Sequence, residues 1–211
     1  MPHREHLEEL FARYPFCAIC RSQIEQAAEE LIVCFRSGGK LLLAGNGGSA
    51  ADCLHIAGEL LKAFQLPRPL SPEDCSALAG LYGDEGVKLG KKLQRGLPAI
   101  ALPAELALTS AMANDVDAEL IYAQGVLALG KPGDILLCLS TSGTAKNVIA
   151  AARTARWRGL KTIALTGKEG GGLARICEIA IRAPGDTTAR IQEYHLPIYH
   201  ALCAAVEEQL F

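Results

Sequence analysis

With 211 residues, 50% of them hydrophobic and 21% charged, the chain is long enough for one globular domain with a sizeable core. A formal net charge of −2 offers no basic surface of the kind nucleic acid requires, and no apolar run approaches the roughly 18 residues of a membrane helix. The start, Met1-Pro2-His3-Arg4-Glu5-His6, is too polar for a signal peptide. The eight cysteines include Cys34, Cys53, Cys138, Cys177 and Cys203 in apolar segments, which suits buried free thiols in a reducing cytoplasm. Cys17-Ala18-Ile19-Cys20 has CxxC spacing, but it follows no strand and has no second pair, so it is a weak redox or zinc signal.

Residues 4 to 36 read as two helices. The second carries Ile24, Ala27, Ala28, Leu31, Ile32 and Phe35 at helical spacing and stops at Ser37-Gly38-Gly39. Lys40 to Ala44 is an apolar run ending in glycine, the pattern of a buried strand. Gly45-Asn46-Gly47-Gly48-Ser49 follows as a turn and opens a helix expected to reach about Phe64. Glycines allow close approach of backbone N–H groups to a ligand, and a helix start favours anions. Asn46 and Ser49 add side-chain hydrogen-bonding groups. On the same helix His55 and Glu59 are four apart and share a face.

Residues 66 to 96 read as an insertion. Ser71 and Pro72 start a short helix as N-cap and N1, and Tyr82 to Gly96 reads as a glycine- and lysine-rich mobile excursion, either a surface insertion or a lid. Leu97 to Leu102 is the second strand, Pro103 opens a helix ending near Asn114-Asp115, and Ala118 to Leu129 forms another. Ile135 to Leu139 is the third strand. It runs into Ser140-Thr141-Ser142-Gly143-Thr144 and a helix from about Ala145 to Arg158. Three hydroxyls beside a helix start exceed what a cap requires and suit a phosphate or a sugar. Lys161 to Leu165 is the fourth strand, and a short fifth lies within Ile176 to Ile181. The last helix, Ala189 to Phe211, carries Gln192 and His200 on one face, with His195 and Tyr199 directed elsewhere and Pro197 inside it.

Strands alternating with helices predict an α/β fold: a doubly wound, mainly five-stranded parallel sheet of flavodoxin or Rossmann type, flanked by helices and preceded by N-terminal helices. Ligands of such sheets bind at the carboxyl ends of the strands near the switch in strand order. Both special turns follow strands, so the sequence predicts one phosphorylated small molecule held by Asn46 to Ser49 and Ser140 to Ser142.

Gly45-Asn46-Gly47-Gly48-Ser49 with His55 and Glu59, then Ala113-Asn114-Asp115, Ser140-Thr141-Ser142-Gly143, Leu165-Thr166-Gly167-Lys168, and Arg190-Ile191-Gln192-Glu193 with His200, resemble the SIS (sugar isomerase) domain. Their order and spacing are most similar to its phosphoheptose isomerase branch. The resemblance spans nearly all of residues 1–211 as one SIS domain, apart from 66–96. It implies isomerisation of sedoheptulose 7-phosphate to an aldoheptose 7-phosphate in a cytoplasmic homotetramer. It implies a zinc ion on His55, Glu59, Gln192 and His200. Substrate contacts carry over to Asn46, Gly47, Gly48, Glu59, Asn114, Asp115, Ser140, Thr141, Ser142 and Gln192. An aldose–ketose shift needs a base on carbon and an acid on oxygen, roles that fall to Glu59 and His200.

Three departures from the family pattern stand out. Thr144-Ala145 replaces a second serine after Ser-Thr-Ser-Gly, Ala189 replaces an acidic residue of some members, and residues 66–96 are extra. Two alternatives accompany the isomerase reading. One is a non-catalytic SIS-domain protein of the type that associates with the bacterial replication initiator, which lacks counterparts of Glu59 and His200. The other is an isomerase of a different phosphosugar.

Overall fold

The computed structural model describes residues 4–211, so the first three residues of the expected N-terminal helical region lie outside it. Five strands, β1 (Leu41–Gly45), β2 (Ala99–Ala101), β3 (Ile135–Ser140), β4 (Lys161–Gly167) and β5 (Ile179–Ala183), form one all-parallel sheet in the order β2-β1-β3-β4-β5. The helices are α1 (Arg4–Arg13), α2 (Arg21–Arg36), α3 (Gly48–Leu61), α4 (Pro72–Tyr82), α5 (Asp84–Lys92), α6 (Leu106–Met112), α7 (Ile121–Leu129), α8 (Lys146–Trp157), α9 (Leu173–Ile176) and α10 (Thr188–Leu210). This is the doubly wound sheet that the strand–helix alternation predicts.

Successive strand residues face opposite sides of the sheet. Leu41, Leu43, Leu137, Leu139, Ile163 and Leu165 join α1, α2, α3 and α10 in one core. Leu42, Ala44, Leu136, Cys138 and Ala164 join α7 and α8 in the other. Every residue of β1 and β3 is buried, as a parallel sheet covered on both faces requires. Buried Asp134 fixes the start of this register. It accepts from the Lys40 N–H at 3.0 Å and the Lys131 N–H at 2.8 Å, and pairs with the Lys40 ammonium at 2.5 Å.

Several element ends differ from expectation for identifiable reasons. α3 stops at Leu61 rather than Phe64 because Arg68 turns back and donates to the carbonyls of Leu60 (2.7 Å) and Glu59 (3.3 Å). The helix expected from Pro103 to Asp115 is divided into a 3-10 turn (Leu102–Ala104), α6 and a π-helical segment (Ala113–Asp117), and the helix expected from Ala118 opens with a second 3-10 turn (Ala118–Leu120) before α7. Tyr82 to Gly96 is not an irregular excursion. It holds α5, which packs back on α4 as a helical hairpin. Ser71 caps α4 by accepting from the Asp74 N–H at 3.1 Å. An antiparallel bridge from Pro69 to Gln94 closes the hairpin's base. The eight cysteines are free, and seven of them are buried. Burial pushes the Cys17 and Cys20 thiols up to about 12 and about 11, away from the thiolate form that reacts or binds metal.

Candidate active site

The strand order reverses between β1 and β3, so the carboxyl ends of these neighbours open into the ligand-binding crevice of such sheets. Asn46, Gly47 and Gly48 leave β1 there and are exposed, while Ser49 is buried in the first turn of α3. The Asn46 and Asn147 amides exchange two hydrogen bonds, at 2.8 and 2.9 Å, tying the turn after β1 to the first turn of α8. The Tyr122 hydroxyl braces the same turn, donating to the Gly45 carbonyl at 2.7 Å. After β3, Ser140 Oγ accepts from the Gly143 N–H at 3.2 Å, and the Ser142 and Thr144 hydroxyls pair at 2.9 Å. Thr144 thus keeps a hydroxyl beside Ser142 where the family pattern has a second serine one residue on. Gly143 has φ 65°, and a Cβ there would lie 2.1 Å from the Gly170 carbonyl oxygen, so only glycine lets the turns after β3 and β4 touch. Two helix starts and exposed hydroxyls in one crevice suit an anionic ligand.

The second half of the site lies between α3 and α10. These helices run side by side in the same sense: Gly48 meets Gln192, His55 meets Tyr199 and His200, and the α3 end meets Glu207 through Arg68. His55 Nε2 lies 3.0 Å from Glu59 Oε1 and 3.4 Å from His200 Nε2. One ligand atom from each of His55, Glu59 and His200 falls within 4.8 Å of the others. Two imidazole nitrogens and one carboxylate oxygen are the donor set of three-ligand catalytic zinc sites, so these residues fit that ion. Burial, and then the neighbouring His55, push the His200 pKa below its ordinary value against the pull of Glu59. The open side of His200 lines a cleft of about 180 Å³ with His6, Glu9, Arg13, Phe64 and Gln65.

Behind the cluster, the Tyr199 hydroxyl lies 2.9 Å from His55 Nδ1 and donates to Asp52 Oδ1 at 3.3 Å. This corrects the expectation that Tyr199 is directed away from the site. Adjacent residues on α10 both reach α3 because α3 lies over the boundary between their faces. His195 does point elsewhere. It is fully buried with Nε2 3.2 Å from the Thr166 carbonyl, and burial lowers its pKa to about 4. Below the cluster, buried Arg68 donates from Nε to Glu207 Oε1 at 2.7 Å. Glu207 also accepts from the N–H groups of Phe64, Gln65 and Leu66, at 2.9, 2.7 and 3.0 Å. Burial alone would push Glu207 up, but these donors and Arg68 hold it below its ordinary value.

Not every residue expected at the site joins these two groups. The Gln192 amide sits over Gly48: a Cβ built on Gly48 would fall 2.5 Å from Gln192 Nε2. Gln192 therefore lies beside the turn, about two helical turns or roughly 12 Å along α10 from His200. Asn114 and Asp115 are exposed on the π-helical segment and bonded to each other at 2.7 Å; no hydrogen bond joins them to either turn among the described residues. Thr141 is half-buried, and its carbonyl accepts from the Gly167 N–H at 2.9 Å. Asp52, Tyr122, Asn147, Tyr199, Arg68 and Glu207 support the site without a local sequence signal, because each acts across a long chain separation.

A family model described as SIS domain matches residues 17–80 and 88–167, which leaves out only 81–87, the tip of the α4–α5 hairpin, between them. The fold and its switch-point crevice thus define a SIS-domain protein. The phosphoheptose isomerase of Shewanella sp. (strain ANA-3) is 40% identical over 191 residues, 89% of this chain and 84% of that protein. That of Shewanella sediminis (strain HAW-EB3) is 41% identical over 191 residues. The solved phosphoheptose isomerase from Francisella tularensis superposes with a TM-score of 0.75 at 31% identity, covering 99% of this chain and 100% of that one. The one from Neisseria gonorrhoeae gives 0.74 at 32%, covering 97% and 96%. The chain belongs to the SIS-domain family, in its phosphoheptose isomerase branch.

Proposed function

We propose that this protein is an aldose–ketose isomerase that converts D-sedoheptulose 7-phosphate to D-glycero-D-manno-heptose 7-phosphate through an enediol. The observation that carries the reading is the convergence of Glu59 and His200, from two helices, on one point beside His55. The phosphate end binds at Asn46 to Ser49 and Ser140 to Ser142, where backbone N–H groups and hydroxyls meet the anion. Gln192, over Gly48, contacts the sugar next to that turn. From Gly48 to His55 is seven residues of helix, roughly 10 Å. An extended seven-carbon chain ending in phosphate suits that span. Glu59 takes the proton from carbon and returns it to the neighbouring carbon. His200 exchanges the proton on oxygen. Asn114 and Asp115 are substrate contacts of the same reading. A zinc ion held by His55, Glu59 and His200 would polarise the substrate carbonyl and take the place of proton exchange by His200 at that oxygen.

A homotetramer in the cytoplasm completes this reading. Buried free thiols suit a reducing compartment, and apolar side chains left exposed on α4 to α6 suit contact with further copies of the chain. Turnover of sedoheptulose 7-phosphate by metal-stripped protein, with and without added zinc, tests it directly. Glu59→Gln and His200→Ala are each expected to lower kcat by about 10²–10⁴-fold. Wild-type turnover in both variants would remove them from the chemistry. Absence of turnover by the wild-type protein under either condition would favour a different phosphosugar.

A further inference from the structure

Tyr199 approaches the His55 ring from the side opposite to Glu59 and His200. Its hydroxyl oxygen lies 2.9 Å from His55 Nδ1 and 3.3 Å from Asp52 Oδ1. An ionised carboxylate only accepts, so the single phenolic proton is directed to Asp52. The phenol oxygen then offers a lone pair to His55, which satisfies the ring when its proton is on Nδ1. Tyr199 is 1% exposed, so water does not compete for this contact. Asp52 Oδ2 is buried with no hydrogen-bond partner, which makes Tyr199 the only side-chain donor to Asp52 among the described residues. With the proton on Nδ1, the lone pair of the ring is on Nε2, the nitrogen facing Glu59 at 3.0 Å and His200 at 3.4 Å.

We propose that Asp52 and Tyr199 form a positioning relay that fixes the tautomer of His55 and presents its Nε2 lone pair to a divalent cation. This rests on the reading of His55, Glu59 and His200 as a metal site. Neither Asp52 nor Tyr199 touches the cation or the substrate; both act through His55. Partners of this kind, on the far nitrogen of a ligating histidine, set ring orientation and basicity.

Tyr199→Phe removes only the hydroxyl. Zinc affinity, measured by competition with a chromophoric chelator, is expected to fall about 10–100-fold in this variant. Imidazole nitrogen chemical shifts of His55, recorded on metal-free Glu59→Ala protein at mildly alkaline pH, where no carboxylate competes at Nε2, supply a readout that a purely structural role would not move. The proton is expected on Nδ1 while Tyr199 is present and on Nε2 when Tyr199→Phe is added. Asp52→Ala, which frees the phenolic proton, is expected to move the tautomer the same way in that background. Unchanged zinc affinity in Tyr199→Phe, or a ring protonated on Nε2 in Glu59→Ala with Tyr199 present, overturns the relay. If the wild-type protein binds no zinc, the metal reading fails by itself, and the tautomer measurement alone decides for or against the relay.

Discussion

His195 and His200 occupy the same helix, yet their surroundings give them opposite uses. His200 stands at an open cleft with two further metal-type donors. His195 is sealed against β4 with one nitrogen on the Thr166 carbonyl and Nδ1 without a partner among the described residues. Burial holds its folded pKa at about 4, below the ordinary 6.5. Above pH 6.5 the ring is neutral in both folded and unfolded chains, so its contribution to stability is fully present. As pH falls below 6.5 the unfolded chain binds a proton that the folded chain refuses, and stability declines until pH reaches about 4. The loss over that window is on the order of 3 kcal/mol. Urea unfolding midpoints measured across it should therefore drop with acid in the wild type, and His195→Gln should flatten the drop by about one proton. An identical pH dependence in the two proteins would show that acid sensitivity arises elsewhere. Sequence spacing alone presents both histidines as lone helical residues. The difference lies in which neighbours face them.

At the scale of elements, the site depends on how α10 is held against the end of α3. Arg68 and Glu207 make that joint: the guanidinium spans the last carbonyls of α3, and the carboxylate gathers three backbone N–H groups of the chain that follows. Removing one member of a buried ion pair costs about 3–5 kcal/mol. Arg68→Ala should lose that much in chemical denaturation. An isolated buried pair is often replaceable by two apolar residues without net loss. Here the double change Arg68→Met with Glu207→Leu should stay destabilised, because the N–H groups of Phe64, Gln65 and Leu66 lose a charged acceptor. Recovery of wild-type stability in the double variant would mean that those N–H groups find water. Arg68 also shows what sequence reading misses. It lies in a stretch read as an insertion, while its buried contacts reach 139 residues along the chain. The strands and the turns after β1 and β3 were legible because buried parallel strands are apolar runs ended by glycine or serine. The hairpin helix α5 was not, because its glycines look like breakers. Gly86 instead permits contact: a Cβ there would lie 1.8 Å from the Leu78 carbonyl oxygen of α4. Tyr199 and Asn147 were hidden for another reason. Their partners depend on the register of one helix against another, which no local period encodes.

For the molecule as a whole, the two cores account for the sheet and its covering helices but leave apolar side chains outside. α4 buries none of its residues completely. Leu81 is 72% exposed and Tyr82 60%, both at the hairpin tip, and Leu106 and Val116 are 76% and 65% exposed near α6. Scattered exposed leucines are ordinary, and the proposed tetramer would cover those of the hairpin tip and the α6 region. A tetramer therefore predicts a light-scattering mass of four chains at micromolar concentration. Leu81→Asp combined with Tyr82→Asp places two carboxylates where the interface would be dry, which costs far more than an interface of standard size tolerates. The variant should dissociate into smaller species. It should also keep its helical circular dichroism, since neither residue belongs to a core. A wild-type mass of one chain would remove the tetramer. A tetrameric double variant would move the contact away from the hairpin tip, leaving the α6 region to carry it.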